Sequence, residues 1–308
     1  MQSILIGHDG SASAKQAVQF GAQLARAYGA RVILLHAVRP TAIPGDLSGQ
    51  LVADLTGQQV RHAQEQVNRE ADALRAGGQS AEAVVVEGEA ASSLAEYAKD
   101  TAGTLLILVG AHGKTAVQRA VLGSTTFRLM HLSPVPVLVW PAQATAPRAL
   151  DGLRRILVPV DFSEASLRAA RTAAELCRRV GARLELLHAW TPPWFLASEL
   201  RLASSGMSIL EYGEREANAG LAAFVRAAEL GEVLARTRVL QEAAAPAILR
   251  IAAQEPFDLV VMGTHGRGTL KRLFLGNTAH KTVAHAQCPV LAVPGPEDAV
   301  WQAGETTA

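Results

Sequence analysis

Two glycine-rich segments hold the most specific chemistry in the chain. The first reads Gly110-Ala111-His112-Gly113, then nine residues, then Gly123-Ser124-Thr125-Thr126. The second reads Gly263-Thr264-His265-Gly266, again nine residues, then Gly276-Asn277-Thr278. A glycine closing an apolar run lets the backbone turn and approach a ligand with no Cβ in the way. A second glycine, ahead of a hydroxyl or amide side chain at a helix start, offers unpaired N–H groups. Those donors and the helix dipole bind phosphate oxygens. Ser124 and Asn277 also read as helix N-caps, a role compatible with holding an anion. His112 and His265 lie inside the loops, and Lys114 and Arg267 follow them, placed to neutralise a polyphosphate.

Other phosphate motifs fail on context. Gly113-Lys114-Thr115 has the end of a P-loop, but Leu108 stands where its first glycine is needed. A dinucleotide fingerprint would follow the first strand, where the chain has only Gly7-His8-Asp9-Gly10. No GxSxG, no HExxH and no acid cluster suited to phosphoryl transfer occurs. Cys177 and Cys288 are far apart and outside any ligand spacing, so they read as buried apolar residues, and His36 and His188 as core histidines.

These segments recur because the chain repeats itself. Asp9 answers Asp161 at an offset of 152 residues, and Gly110 answers Gly263 at 153. Leu34-Leu35-His36-Ala37 answers Leu186-Leu187-His188-Ala189, and Pro136-Val137-Leu138-Val139 answers Pro289-Val290-Leu291-Ala292. A period of this size marks whole domains: residues 1–141 and 154–295, joined by an Ala- and Pro-rich linker 142–153 and followed by a soft tail 296–308. Each half alternates strand and helix: Ile4–Gly7, a helix Ala12–Tyr28, Val32–Val38, a loop from Arg39 to Gln50, and a long polar helix ending near Gly77. Ala83–Val86, a helix from Ala90, Leu105–Val109, a helix near Thr125 and Val137–Trp140 complete the first half, and the second repeats the order. Continuously apolar strands between helices mean a parallel sheet covered on both faces, an α/β fold.

The 308 residues are 49% hydrophobic and 19% charged, ordinary for two packed domains. With 29 basic and 28 acidic residues there is no global field for nucleic acid or an anionic membrane. No apolar run reaches membrane-spanning length, and Met1-Gln2 leads into Ile4 without a basic leader, so the expected location is cytoplasmic.

Both halves resemble the universal stress protein domain, in its tandem two-domain form, on the Gly-x-x-Gly, nine residues, Gly-Ser/Thr signature. The first half satisfies that signature in full, and the second carries Asn277 in the hydroxyl position. Leu259-Val260-Val261-Met262-Gly263 and Cys288-Pro289-Val290-Leu291 are similar to family sequence as well. The resemblance implies a five-stranded parallel sheet of order 3-2-1-4-5 in each half, with the ligand crevice between strands 1 and 4. It implies ATP as ligand, with or without magnesium. Asp9 and Asp161 would lie near adenine and ribose, and backbone at Ala37 and Ala189 would hold the base. Gly110, His112, Gly113, Lys114, Gly123, Ser124, Thr125 and Thr126 would hold phosphates in the first half. Gly263, His265, Gly266, Arg267, Gly276, Asn277 and Thr278 would do so in the second. Three hydroxyls against one amide and one hydroxyl make the first half the better phosphate site.

The resemblance also points to pairing of the two halves through their fifth strands, Val137–Trp140 and Val290–Val293, since single-domain members pair there and an apolar edge invites pairing. Replacing Leu138 and Leu291 by lysine should loosen that pairing. The expected role is regulatory nucleotide binding and not dedicated catalysis. Two alternatives stand. One is a nucleotide-free interaction module, favoured by Asn277 and by Asp258 where the first half has Leu105. The other is an ATP pyrophosphatase-like enzyme, whose phosphate loop would follow the first strand.

Overall fold

Ile4, Leu5 and Ile6 are fully buried in strand β1 (Ser3–Gly7), as a strand covered on both faces requires. Helix α1 (Ala12–Tyr28) follows at once. The Ser11 hydroxyl accepts the Ala14 N–H to start it, and Ala17, Phe20 and Leu24 bury its inner face. Gly29, in the left-handed conformation at φ 60°, ends it. The same punctuation recurs in the second half, where Ser163 caps helix α5 (Glu164–Val180) and Gly181 at φ 70° closes it. A serine and a glycine thus fix both ends of the helix that follows the first strand of each half.

The computed structural model describes residues 1–39, 49–111, 122–141, 152–192, 207–265 and 275–295. It divides into two compact units, which among the described residues are 1–141 and 152–295. The expected tail 296–308 and nearly all of the expected linker lie outside the described residues.

In the first unit, β2 (Arg31–Val38), α2 (Gly49–Ala76), β3 (Ala81–Glu87), α3 (Ala90–Asp100), β4 (Thr104–Gly110), α4 (Ser124–Leu132) and β5 (Val137–Trp140) follow α1. All strand pairs are parallel, in the order β3-β2-β1-β4-β5. The second unit runs β6 (Arg155–Pro159), α5, β7 (Arg183–Trp190), α6 (Ile209–Ala228), a 3-10 turn (Gly231–Val233), β8 (Leu234–Gln241), α7 (Ala244–Gln254), β9 (Leu259–Gly263), α8 (Asn277–His285) and β10 (Val290–Val293). Its parallel pairs give the order β8-β7-β6-β9-β10, the same topology. In both sheets the first and fourth strands are neighbours whose outgoing connections diverge, which opens a crevice at their carboxyl ends. Helix α2 begins at Gly49, inside the stretch that the sequence reads as loop.

The second unit holds an ionic cluster that its apolar strand pattern does not announce. Glu185 on β7, only 4% exposed, pairs with Arg238 on β8, and Arg238 also grips Glu255 through both terminal nitrogens at 2.5 and 2.8 Å. Arg155 of β6 reaches the same two carboxylates at 3.4 and 2.8 Å and lies over the Phe257 ring. These hydrogen bonds, from Arg238 first and Arg155 second, hold the Glu255 carboxyl down at about 2. Arg155 opens β6, so the cluster reaches the amino end of the sheet, opposite the crevice.

Asp258, which precedes β9, is buried, and its Oδ2 accepts the Arg154 and Arg155 N–H groups at 2.8 and 2.9 Å. Its replacement of Leu105 is therefore accounted for by backbone satisfaction at the start of β6, and it carries no weight for a ligand-free role. Cys177 and Cys288 are both buried, and burial pushes the Cys177 thiol up to about 12.

Candidate functional site

At the carboxyl end of β6 the chain makes a tight turn that both halves share. Asp161 Oδ1 accepts the Ser163 N–H at 3.0 Å, as Asp9 Oδ1 accepts the Ser11 N–H at 2.9 Å in the first half. Each aspartate thereby holds the turn that launches the next helix, a local role typical of Asp. Asp161 also lines a cleft, so the two roles coexist at one side chain.

That cleft, of about 240 Å³, lies between the ends of β6 and β9 and the start of α8. Asp161, Ala189, Gly263, His265, Gly276, Asn277 and Thr278 all line it. The structure therefore brings together seven of the second-half residues singled out by type and spacing; Gly266 and Arg267 lie outside the described residues. Ser166, Thr264 and Ile248 line it too and were not anticipated. Thr264 was legible, since it sits inside the quoted glycine segment. Ser166 lies one helical turn past the cap, and Ile248 comes from α7, a neighbour that only the folded topology reveals.

The loop chemistry is built the same way in both halves. The Gly276 N–H donates to the Thr264 carbonyl at 2.8 Å, and the Gly123 N–H to the Ala111 carbonyl at 3.0 Å. This bond pins each glycine against its strand end. A Cβ at Gly276 would stand 3.2 Å from the Thr264 oxygen, tighter than an ordinary contact, so a larger residue there would have to push the strand end away. One expectation is corrected here: Gly123 and Gly276 occupy the N-cap positions, while Ser124 and Asn277 are the first helical residues, and no side chain caps either helix. The strand-bonded glycine takes the bend and displaces the polar residue one place inward. Helices α1, α3, α5 and α6 start with a side-chain cap, whereas α4 and α8 present first-turn N–H groups without one, as does α7. At α8 those groups adjoin a cleft, with the positive end of the helix dipole behind them.

Gly263 has a different reason from the one its position suggested. A Cβ there would meet the Ala165 backbone at 2.9 Å, so the missing side chain admits the first turn of α5. Thr264 Oγ1 lies 2.8 Å from Nδ1 of the neighbouring His265.

In the first half, Asp9 and Ala37 stand at the carboxyl ends of adjacent strands β1 and β2, and Gly110 ends β4 on the other side of β1. The buried Thr126 hydroxyl donates to the Gly110 carbonyl at 2.9 Å, clamping α4 to the strand end. A hydroxyl has one proton, so this donor is spent. Ser124 is exposed and Thr125 partly exposed, which leaves two side-chain donors, matching Asn277 and Thr278. His112, Gly113 and Lys114 lie outside the described residues. Among the described residues no group of three or more His, Cys, Asp or Glu side chains could hold a metal ion.

The model of one protein family, the universal stress protein family, matches residues 1–141 and again residues 152–294. A universal stress protein of Mycolicibacterium smegmatis is 28% identical over 303 residues, covering 94% of this chain and 96% of its own. One from Thermus aquaticus is 37% identical over 147 residues, covering 46% of this chain and 98% of its own. Among solved structures, a universal stress protein from Archaeoglobus fulgidus superposes with a TM-score of 0.69 at 19% identity, covering 95% of this chain and 98% of that one. A putative universal stress protein from Pseudomonas aeruginosa gives 0.64 at 20% identity, covering 96% and 93%. The structural likenesses bear on the fold alone.

Proposed function

The chain belongs to the universal stress protein family, and from that premise we propose that it binds adenine nucleotide, ATP, at the carboxyl ends of its sheets and serves as a regulatory stress protein. The observation that carries this reading is the second-half cleft. There a strand-end aspartate, the backbone of Ala189 and an uncapped helix N-terminus all meet in one concave site. The aspartate suits ribose hydroxyls or a base amine, both hydrogen-bond donors. The N–H groups of α8, backed by its dipole, suit phosphate. Apolar walls from Val160, Leu187, Ile248 and Met262 suit the faces of a purine.

Binding is the proposed end of the chemistry. The polar side chains of the cleft are Asp161, Ser166, Thr264, His265, Asn277 and Thr278. They offer donors and acceptors for a resting nucleotide; the hydroxyl–imidazole contact among them, Thr264 Oγ1 to His265 Nδ1, joins two neighbours within the loop. Magnesium, if it accompanies ATP, would be held mainly by the phosphates, since among the described residues Asp161 is the one carboxylate lining the cleft.

Purified protein, denatured and filtered, is expected to release adenine nucleotide. Emptied protein is expected to gain melting temperature with ATP, the shift growing as the logarithm of concentration above Kd. A protein that releases no adenine nucleotide and shows no melting shift at millimolar ATP would overturn the proposal. Multiple-turnover phosphate release would move the protein into the enzyme class instead.

A further inference from the structure

Phe162 occupies a backbone conformation that phenylalanine rarely adopts. Its φ is 64°, in the left-handed region, and the equivalent place in the first half is held by Gly10 at φ 76°. Glycine takes that conformation freely, whereas an L side chain takes it at a cost. The ring shows what the residue does there. It stacks on His188 with centroids 4.1 Å apart and planes 25° apart, and it also meets Phe224 at 6.0 Å. Helix α6 makes room for it with Gly220, where a Cβ would come within 2.8 Å of the ring. A strained turn residue and a glycine in a helix interior are two locally unfavourable choices that serve one contact.

That contact joins two residues adjacent to the cleft wall. Phe162 is the middle residue of the turn in which Asp161 accepts the Ser163 N–H. His188 precedes Ala189, and its Nδ1 donates to the Val160 carbonyl at 2.8 Å, which ties the end of β7 to the end of β6. Asp161 and Ala189 both line the cleft, each one residue from a stacked ring. Neither Phe162 nor His188 lines it.

We infer that Phe162 is a positioning residue of the second nucleotide site: stacked on His188, it holds Asp161 and Ala189 at a fixed separation for the base and ribose of the ligand. The inference rests on the nucleotide-binding reading above. The first half, with Gly10 in place of the ring, has the same turn without this lock.

Phe162→Gly installs the first half's own residue, relieves the φ strain and removes the stack, so the fold has a route to survive. Phe162→Tyr keeps the stack. In full-length protein, ATP is titrated calorimetrically while the Ala189 amide and the His188 ring protons are followed by NMR. Phe162→Gly is expected to move the His188 ring signals out of their stacked position and to weaken ATP at the second site about three- to tenfold, the worth of one aromatic pair. Phe162→Tyr is expected to restore both. Unchanged affinity in Phe162→Gly, with Ala189 still responding to ATP, overturns the positioning role and leaves nucleotide binding standing. A wild-type protein whose Ala189 amide ignores ATP overturns this inference together with the proposed second-half site.

Discussion

Asp161 does two things with one side chain, and the two can be separated. Its Oδ1 holds the Ser163 N–H at 3.0 Å, and the residue lines the cleft. Asn in its place keeps an oxygen acceptor for the turn and gives up the charge. Asp161→Asn is therefore expected to leave the melting temperature of the empty protein unchanged. It should weaken ATP about five- to tenfold, the difference between a charged and a neutral hydrogen-bond partner. Asp161→Ala loses the turn acceptor too and should lower both affinity and melting temperature. Equal ATP affinity in the Asn variant and the wild type would remove this carboxylate from the site. At this scale the sequence was readable for placement, since the paired aspartates and glycines stand at the strand ends where their types and spacing put them. It was silent where a side chain's partner decides its role. Thr126 looks like a phosphate donor until its proton is found on the Gly110 carbonyl. Phe162 gives no sign in the sequence of its left-handed backbone.

Whole elements were more legible, because the inner strands β1, β4, β6 and β9 are apolar on both faces and the serine and glycine punctuation of α1 and α5 is local. The ionic cluster of the second sheet escaped notice, since Glu185, Arg238 and Glu255 are spread over β7, β8 and the end of α7 and meet only once the strands are paired. Its expected consequence is a second unit that loses stability in acid. The Glu255 carboxyl sits at about 2 in the folded protein, against 4.5 for the free side chain. A depressed folded value stabilises fully above the unfolded value, and that contribution fades as pH falls from about 4.5 towards about 2. Glu255→Gln is expected to cost about 1–2 kcal/mol at pH 7, a figure reduced because the carboxylate keeps contact with solvent. It should also flatten the loss of stability between pH 5 and pH 3 (~2 pH units of the linkage window). Arg238→Met should cost more, about 3 kcal/mol, by leaving buried Glu185 only the longer 3.4 Å contact with Arg155. Urea unfolding at several pH values checks both, and an unaltered acid limb in Glu255→Gln would show that other carboxylates govern it. ATP affinity should not follow these variants, since none of the three residues lines the cleft.

For the molecule as a whole, duplication raises the question of how many nucleotides one chain holds. Both halves carry the strand-end aspartate, the strand-bonded glycine and an uncapped helix N-terminus. Two equivalents of ATP per chain are expected. Counting hydroxyls favoured the first half, but Thr126 has spent its donor, so two side-chain donors remain in each. What then differs is preorganisation. The second half holds its turn with the Phe162 stack, whereas Gly10 leaves the first-half turn freer before binding. A turn that must be ordered on binding subtracts that entropy from affinity. The second site is therefore expected to be the tighter, by about three- to tenfold if the stack is the main difference. Calorimetric titration of emptied full-length protein should resolve two classes of site, and Asp161→Asn should weaken the tighter one while Asp9→Asn weakens the other. A single equivalent of ATP abolished by the Asp9 substitution would reverse this order and assign the working site to the first half.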